Sequence, residues 1–154
     1  MPESPNQLLT DAQLAAVLHG MGDALIVADA SGVIEYWNAA AERVFGWRST
    51  EAVGRGLDLI IPERSRGAHW AGYNAVMATG QTKYGSDLLR VPALHRDGHR
   101  LSIAFTVCLL HDAGGGGEVR AIAAIVRDET QRWADERALR EELTQLRNEV
   151  AGRT

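Results

Sequence analysis

The sequence predicts an α+β fold, in which short helices accompany antiparallel strands and a further helix follows them. Three observations lead to this prediction. Apolar residues recur at helical spacing near both ends of the chain, they alternate with small or polar residues in its second half, and glycine-containing turns separate the segments. A chain of 154 residues is long enough for one sizeable hydrophobic core. We therefore expect one domain flanked by helices.

The amino-terminal part predicts a helix followed by a β hairpin. After a polar lead, Thr10 or Asp11 can cap a short helix that ends near a pair of glycines. Two apolar runs, residues 24–28 and 33–37, flank a turn of Asp, Ala, Ser and Gly, which is typical of a hairpin. The helix carries one apolar stripe, made by Leu14, Val17, Leu18 and Met21.

Short helices are predicted between the hairpin and the later strands. Asn38 is a favourable N-cap for a helix that Gly46 closes. Glycines and a proline break residues 47–61, so this stretch predicts short helical turns rather than one long helix. Residues 63–78 predict a proper helix, and the Thr-Gly pair that ends at Gly80 stops it.

The second half of the chain predicts three strands. Residues 84–94 form one candidate strand, followed by a tight turn at residues 96–98. Strict alternation then predicts a half-buried strand at residues 101–109, with Cys108 on the less apolar side as a small half-buried filler. A glycine-rich loop at 114–117 leads to the last strand, residues 119–127. Strands joined in this way favour an antiparallel sheet.

The closing segment predicts a helix with a short coiled-coil seam. Asp128 or Thr130 can cap this helix, and Arg132 and Glu136 interrupt the seam upstream. The seam residues follow steps of four and three: Leu139, Leu143, Leu146 and Val150. A monomer would expose this seam to water, so we expect a parallel homodimer formed by the first and last helices.

Composition excludes several function classes. A net charge of −4 gives no general attraction to nucleic acid, because phosphate contacts draw most of their affinity from basic side chains. The single cysteine fits a reducing compartment, and the polar start lacks the features of a signal peptide. No stretch approaches the roughly 20 apolar residues that cross a bilayer. We expect a cytoplasmic protein without nucleic-acid or membrane contacts.

Several spaced motifs resemble the PAS family of sensor domains. They are the Asp-x-x-Gly-x-Ile-x-x-x-Asn-x-x-Ala-Glu-x-x-Phe-Gly-Trp pattern of residues 29–47, Ile-Pro-Glu at 61–63, Arg-Asp-Gly at 96–98 and Arg-Asp-Glu-Thr at 127–130. The resemblance implies a five-stranded antiparallel sheet whose concave face and short helices enclose a small-molecule pocket. It also implies three parts: a lead and flanking helix at 1–20, a PAS domain at 21–130, and a signalling and dimerisation helix at 131–154.

One segment is similar to the haem-binding PAS domains of oxygen-sensing histidine kinases. Residues 61–70 read Ile-Pro-Glu-Arg-Ser-Arg-Gly-Ala-His-Trp, and the resemblance implies haem b with His69 as the axial ligand, a role that neutral imidazole suits. Leu89 stands where the oxygen-binding relatives have a distal arginine, with Arg90 beside it. The predicted site residues are His69, Tyr73, Val76, Leu89, Ile103, Phe105 and Ile122.

Competing interpretations remain open. His69 is alternatively a surface or hydrogen-bonded core histidine, and the domain is alternatively a ligand-free dimerisation or interaction module. Enzymatic activity is the least favoured interpretation, because the sequence contains no recognisable set of acid, base and nucleophile that would form an active site. Ordinary exposed or solvated positions are predicted for the remaining histidines and several acids: His19, His95, His99, His111, Glu63, Asp87 and Asp97. The favoured prediction is a sensor that signals through residues 128–130 to an output domain or partner that the sequence does not identify.

Overall fold

Five strands form one antiparallel sheet in the computed structural model, which describes residues 8–82, 87–112 and 117–153. Across the sheet the order is β2-β1-β5-β4-β3, so the last strand pairs with both the first and the fourth. The predicted α+β fold with a five-stranded sheet is thereby confirmed. In chain order the strands are β1 (Ala24–Asp29), β2 (Ile34–Trp37), β3 (Leu89–Leu94), β4 (Arg100–His111) and β5 (Val119–Asp128).

Within the described residues, five α-helices and one 3₁₀ turn accompany the sheet. They are α1 (Asp11–Gly20), α2 (Ala39–Phe45), α3 (Ser49–Ala52), the 3₁₀ turn Leu57–Leu59, α4 (Glu63–Thr79) and α5 (Thr130–Ala151). Thr10 caps α1, and Gly80 ends α4 in the left-handed conformation that glycine adopts without strain. None of the helices in the described parts of the chain is long and apolar enough to cross a membrane.

Asn38 joins α1, the hairpin and α2 at one buried point. Its side-chain oxygen accepts the backbone N–H of Ala41, which is the predicted N-cap bond, and also that of Leu25. Its amide nitrogen donates to the carbonyl oxygens of Leu18 and Asp23. Four hydrogen bonds use the full capacity of this amide, so a fully buried polar side chain lies here without penalty.

The buried apolar residues that the structure describes form two clusters. The main core packs the sheet against α2, α3 and the 3₁₀ turn, and its largest fully buried side chains are Trp37, Phe45 and Ile34. A second group, called here the α4 cluster, packs α4 against β1, β4 and β5. Its members are Ala28, Tyr73, Val119 and Ile122, with Leu57, Trp70, Val76, Met77, Val107 and Leu109 packed against them.

Two sequence predictions differ from the structure. The third strand begins at Leu89 rather than at residue 84; residues 87 and 88 are not strand, and the pairing with β4 begins opposite Phe105. Cys108 is exposed, not half-buried, because it lies on β4 beyond the stretch that β3 pairs with. The predicted lead at residues 1–7, the start of the third strand at 84–86 and the loop residues 114–116 lie outside the described residues.

Both candidate dimerisation surfaces are exposed in the single chain. On α1 the side chains of Leu14, Val17 and Leu18 are all exposed. On α5 each residue of the predicted seam is at least half exposed: Leu139, Leu143, Leu146 and Val150. Neither helix buries a residue, so their apolar stripes are available to a partner.

Candidate functional site

Helix α4 presents an aromatic face to the sheet. Its start is held by Arg66, whose guanidinium donates to the carbonyl oxygens of Ile61 and Asp58. From this start, the helical spacing of three and four residues brings His69, Tyr73 and Val76 onto one side. The predicted grouping of these three side chains along α4 therefore agrees with the geometry of the helix.

Tyr73 anchors α4 to the end of β1. The phenol is buried, and its O–H donates to the carbonyl oxygen of Asp29 at 2.5 Å, with that of Ala28 at 3.3 Å. Burial, together with the nearby carboxylate of Asp29, raises the pKa of Tyr73 to about 12. The hydroxyl therefore stays neutral and remains a donor throughout the physiological range.

Trp70 closes the space between α4 and the β1–β2 turn. Its indole N–H donates to a carboxylate oxygen of Asp58 at 2.8 Å, and its ring meets that of Tyr73 edge to face. The indole also lies directly over Gly32, where an added Cβ would come within 2.1 Å of a ring carbon. With a φ of 82° at that turn, position 32 requires glycine for two independent reasons.

His69 carries the most unusual polar group of the site. The centroid of its ring lies 4.7 Å from the ring centroid of Trp70 and 5.7 Å from that of Tyr73. Within the described parts of the chain, Nδ1 is buried and has no hydrogen-bond partner. Burial lowers the pKa of His69 below its usual range, against the opposing pull of the Asp58 carboxylate. The imidazole is therefore neutral at neutral pH, and its Nδ1 is enclosed without a hydrogen bond among the described residues.

The seven predicted site residues do not form one group. Tyr73, Val76 and Ile122 belong to the α4 cluster, with His69 against its aromatic side chains. Ile103 and Phe105 instead pack in the main core, and Leu89 pairs with Phe105 across β3 and β4. The side chain of Leu57 packs against both clusters and bridges them.

Arg90 is directed away from this site. Its guanidinium lies 6.0 Å from the ring centroid of Trp133 on α5. Leu89 alternates with it and lies on the side of Phe105. The inward position of this pair is therefore the apolar Leu89, and Arg90 contacts the closing helix instead.

Sequence reasoning missed the neighbours that complete the site. Trp70, Asp58 and Leu57 were not among the predicted residues, although Trp70 and Tyr73 are three residues apart and so adjacent on a helix. That spacing was a usable signal for Trp70. The contacts of Trp70 with Gly32 and Asp58 depend on tertiary packing, and no local sequence pattern predicts them.

The imidazole of His69 is a suitable ligand for haem iron. However, the side chains of Trp70 and Tyr73 fill the space beside it. A neutral imidazole beside apolar walls is the proximal environment that haem iron takes. Trp70 and Tyr73 occupy the region next to His69, so a ring the size of haem requires these side chains to move. The surface depressions on α5, bordered by Leu143 and Arg140, contain none of the predicted site residues.

The exit from β5 into α5 is closely tied to β4. Asp128 accepts hydrogen bonds from both the backbone N–H and the hydroxyl of Thr130. The Thr130 oxygen accepts the N–H of Ser102, whose carbonyl in turn accepts the N–H of Glu129. A displacement of β4 or β5 therefore reaches the first turn of α5 through direct bonds.

Comparison with known proteins places this geometry in a family. An uncharacterised protein of Azorhizobium caulinodans is 36% identical over 149 residues, which are 96% of this chain and 20% of that protein. Sensor protein FixL of Bradyrhizobium diazoefficiens is 41% identical over 59 residues, which are 38% of this chain and 12% of that protein. The chain thus spans a minor part of the length of both relatives.

The fold is likewise shared with solved domains. The crystal structure of the PAS domain of a Colwellia psychrerythraea protein superposes with a TM-score of 0.68 at 21% identity, covering 78% of this chain and 97% of that one. The family model described as the PAS fold matches residues 12–129, which include the whole sheet and the aromatic face of α4. By this match, and by the motifs and topology that agree with it, the chain belongs to the PAS family of sensory domains.

Proposed function

We propose that this PAS domain is a signalling module that would bind haem b, with His69 as the residue that would hold the iron. The observation that carries the proposal is the buried Nδ1 of His69, which has no partner within the described residues. A buried polar atom without a partner costs free energy that a ligand can recover. Its lowered pKa supports the neutral form that a metal ligand requires.

Haem iron supplies a binding position for diatomic gases, and the protein supplies its surroundings. Tyr73, Val76 and Ile122 offer an apolar wall beside His69. Beside Leu89, the neighbouring cation Arg90 faces away from the α4 cluster and contacts Trp133. Bound dioxygen gains stability from hydrogen-bond donors, whereas carbon monoxide needs them less. An apolar surrounding at Leu89 would therefore favour carbon monoxide or nitric oxide over dioxygen as a ligand.

The relay to α5 follows a short set of contacts. Tyr73 on α4 is bonded to the carbonyl oxygens of Ala28 and Asp29 on β1. Ala28 pairs with Ile122 on β5, and β5 continues directly into the junction at Asp128. A ligand that displaces Trp70 or shifts α4 changes this contact first. If the protein has two conformations that differ at this junction, a ligand that binds one of them more tightly shifts the equilibrium toward it, which is the condition for signalling.

A haem titration followed by absorption spectroscopy tests the proposal. Wild-type protein should develop a Soret band that saturates at one haem per chain, whereas His69→Ala should not, with its fold retained by circular dichroism. His111→Ala is the matched control, because His111 is an exposed histidine at the end of β4 and should bind haem normally. A wild-type spectrum in His69→Ala would show that another residue holds the iron.

A second function is favoured by a different observation. Trp70 and Tyr73 fill the space beside His69, as expected if the domain works without a ligand. The exposed seam of α5 then carries the function as a homodimer surface. A protein truncated after Thr130 should show weaker association by light scattering than the full chain. A full-length monomer at high concentration would contradict this function.

Two further points belong to the same proposal. We place the protein in the cytoplasm, because an unpaired, exposed Cys108 is suited to a reducing compartment. The output is proposed to lie in a domain or partner that α5 contacts, since both relatives are much longer than the matching segment. Neither point changes the test of ligand binding.

A further inference from the structure

The turn between β3 and β4 brings two histidines and an aspartate together. The backbone N–H of His95 donates to the carbonyl oxygen of His99 at 3.0 Å, which closes the turn. At the tip, Gly98 has a φ of 90° and donates to the carbonyl oxygen of His95. The turn therefore holds the two histidines opposite each other, with Asp97 between them.

The three side chains converge on one point. Oδ1 of Asp97 lies 3.1 Å from Nδ1 of His95 and also hydrogen bonds to Nδ1 of His99. The two imidazole rings stack with centroids 4.5 Å apart. One ligand atom from each residue lies within 4.8 Å of the other two.

The surrounding residues fix this turn in place. The His95 ring packs on Gly46 at the end of α2, where an added Cβ would lie 2.6 Å from it. The next residue, Arg96, donates its backbone N–H to the carbonyl oxygen of Phe45. Its guanidinium is paired with Glu51 at 2.7 Å, so this cation is neutralised by an acid outside the cluster. The turn thus presents its ligands on a fixed backbone.

We propose that His95, Asp97 and His99 form a surface binding site for a borderline divalent transition metal ion such as Zn²⁺ or Ni²⁺. Two imidazoles and one carboxylate are the ligand types that these ions select. In a tetrahedral zinc site with bonds of about 2.0–2.1 Å, neighbouring ligand atoms lie about 3.3 Å apart. The 3.1 Å separation of Asp97 and His95 matches this spacing.

Binding requires only a local side-chain movement. The two rings are stacked with their planes 22° apart, and Nδ1 of His95 accepts the backbone N–H of Asp97 at 3.2 Å, so an ion must displace this bond and both rings must turn about their side-chain bonds to reach it. The His99 side chain is half exposed and must leave its hydrogen bond with Asp97 to turn, whereas the His95 ring packs on Gly46. The fourth position faces solvent and takes a water. Mg²⁺ and Ca²⁺ prefer oxygen ligands and are excluded by the two imidazoles.

This site is independent of the proposed haem site. It lies on the turn between β3 and β4, whereas His69 lies on α4. A bound ion would join this turn to the end of α2 through the contact of His95 with Gly46. Metal binding is therefore expected whether or not the α4 cluster accepts a ligand.

Calorimetric titration of the metal-free, tag-free protein with zinc chloride tests the site. Wild type should bind one ion per chain, and His99→Ala should weaken binding by about tenfold or more. Asp97→Asn, which keeps the acceptor for the turn, should weaken it too. His111→Ala is the control and should bind as wild type. Magnesium chloride should give no binding heat.

Two results would overturn the site. One is the absence of saturable zinc binding by the wild type; the other is an unchanged affinity in His99→Ala with its fold intact by circular dichroism. Electron paramagnetic resonance of the copper-loaded protein gives a separate readout, because two coordinated imidazole nitrogens should split the signal. A spectrum without nitrogen splitting would equally count against His95 and His99 as ligands.

Discussion

Replacing His69 by phenylalanine should stabilise the ligand-free protein while removing ligand binding. The change eliminates the buried Nδ1 that has no partner in the described structure. It also keeps an aromatic ring beside Trp70 and Tyr73, at centroid distances of 4.7 and 5.7 Å in the wild type. A site selected for stability alone would not carry this polar atom, so the substitution separates stability from function.

The expected change in the free energy of unfolding follows from two contributions, the unpaired polar atom and the ring contact with Trp70. A buried polar atom left without a partner costs about 1–3 kcal/mol. The edge contact with Trp70, a type of interaction that contributes about 0.5–1.5 kcal/mol, is retained by phenylalanine. Because the larger ring opposes part of the gain, we expect the free energy of unfolding to rise by about 1 kcal/mol at pH 7. In a domain of this size that raises Tm by about 2–4 °C.

The difference between variant and wild type should depend on pH. Since burial lowers the pKa of His69, the unfolded chain takes up a proton near its ordinary pKa of about 6.5 while the folded chain does not. The stability associated with neutral His69 is therefore fully present above that value and is lost as pH falls toward the lower, folded-state pKa. The His69→Phe variant does not lose stability in this way, because phenylalanine does not take up a proton. The advantage of His69→Phe should widen as pH decreases from about 7 to 5.

Urea denaturation at several pH values, followed by circular dichroism, measures this effect. His69→Leu is a second variant, which removes the nitrogen but also the ring contacts, and it should gain less than His69→Phe. The reasoning fails if both variants are less stable than the wild type at pH 7. It also fails if the difference in stability stays constant with pH, because His69 would then titrate normally in the folded protein.

Three further changes test other parts of the structure. Tyr73→Phe removes the O–H bonds to β1 and should lower the free energy of unfolding by about 1–2 kcal/mol, and ultraviolet titration of the wild type should show one phenol ionising only near pH 12. Asn38→Ala removes a cap and leaves the buried N–H of Leu25 unpaired, which should cost about 2–4 kcal/mol in urea denaturation; a cost under 1 kcal/mol would contradict the four-bond role. Asp128→Ala should leave ligand affinity nearly unchanged but remove the ligand-dependent change in amide exchange of α5, whereas equal loss of both would indicate unfolding.

Local chemistry was sufficient to predict most of the fold. Asn38 was assigned as an N-cap from its type and position, and the structure shows the predicted bond to Ala41. Alternation predicted β4, and glycine predicted the end of α4 at Gly80. These features depend on residues close in sequence. The burial of Cys108 depended instead on how far β3 extends along β4, and that prediction was wrong.

The site could be predicted only in part, because its geometry comes from residues far apart in sequence. The position of His69 on α4 followed from helical spacing, but no local pattern shows that its Nδ1 is buried without a hydrogen-bond partner among the described residues. His95 and His99 were expected to be ordinary surface residues. Their convergence on Asp97 became visible only once the register of β3 and β4 was known.

Rescue of a His69→Gly protein by imidazole tests the central claim most directly. The account predicts that wild type binds one haem with a Soret band, that His69→Gly does not, and that added imidazole restores the band by occupying the vacated position beside Trp70 and Tyr73. A wild-type protein that stays colourless with haem would contradict the claim. So would a His69→Gly protein whose spectrum equals that of the wild type without imidazole.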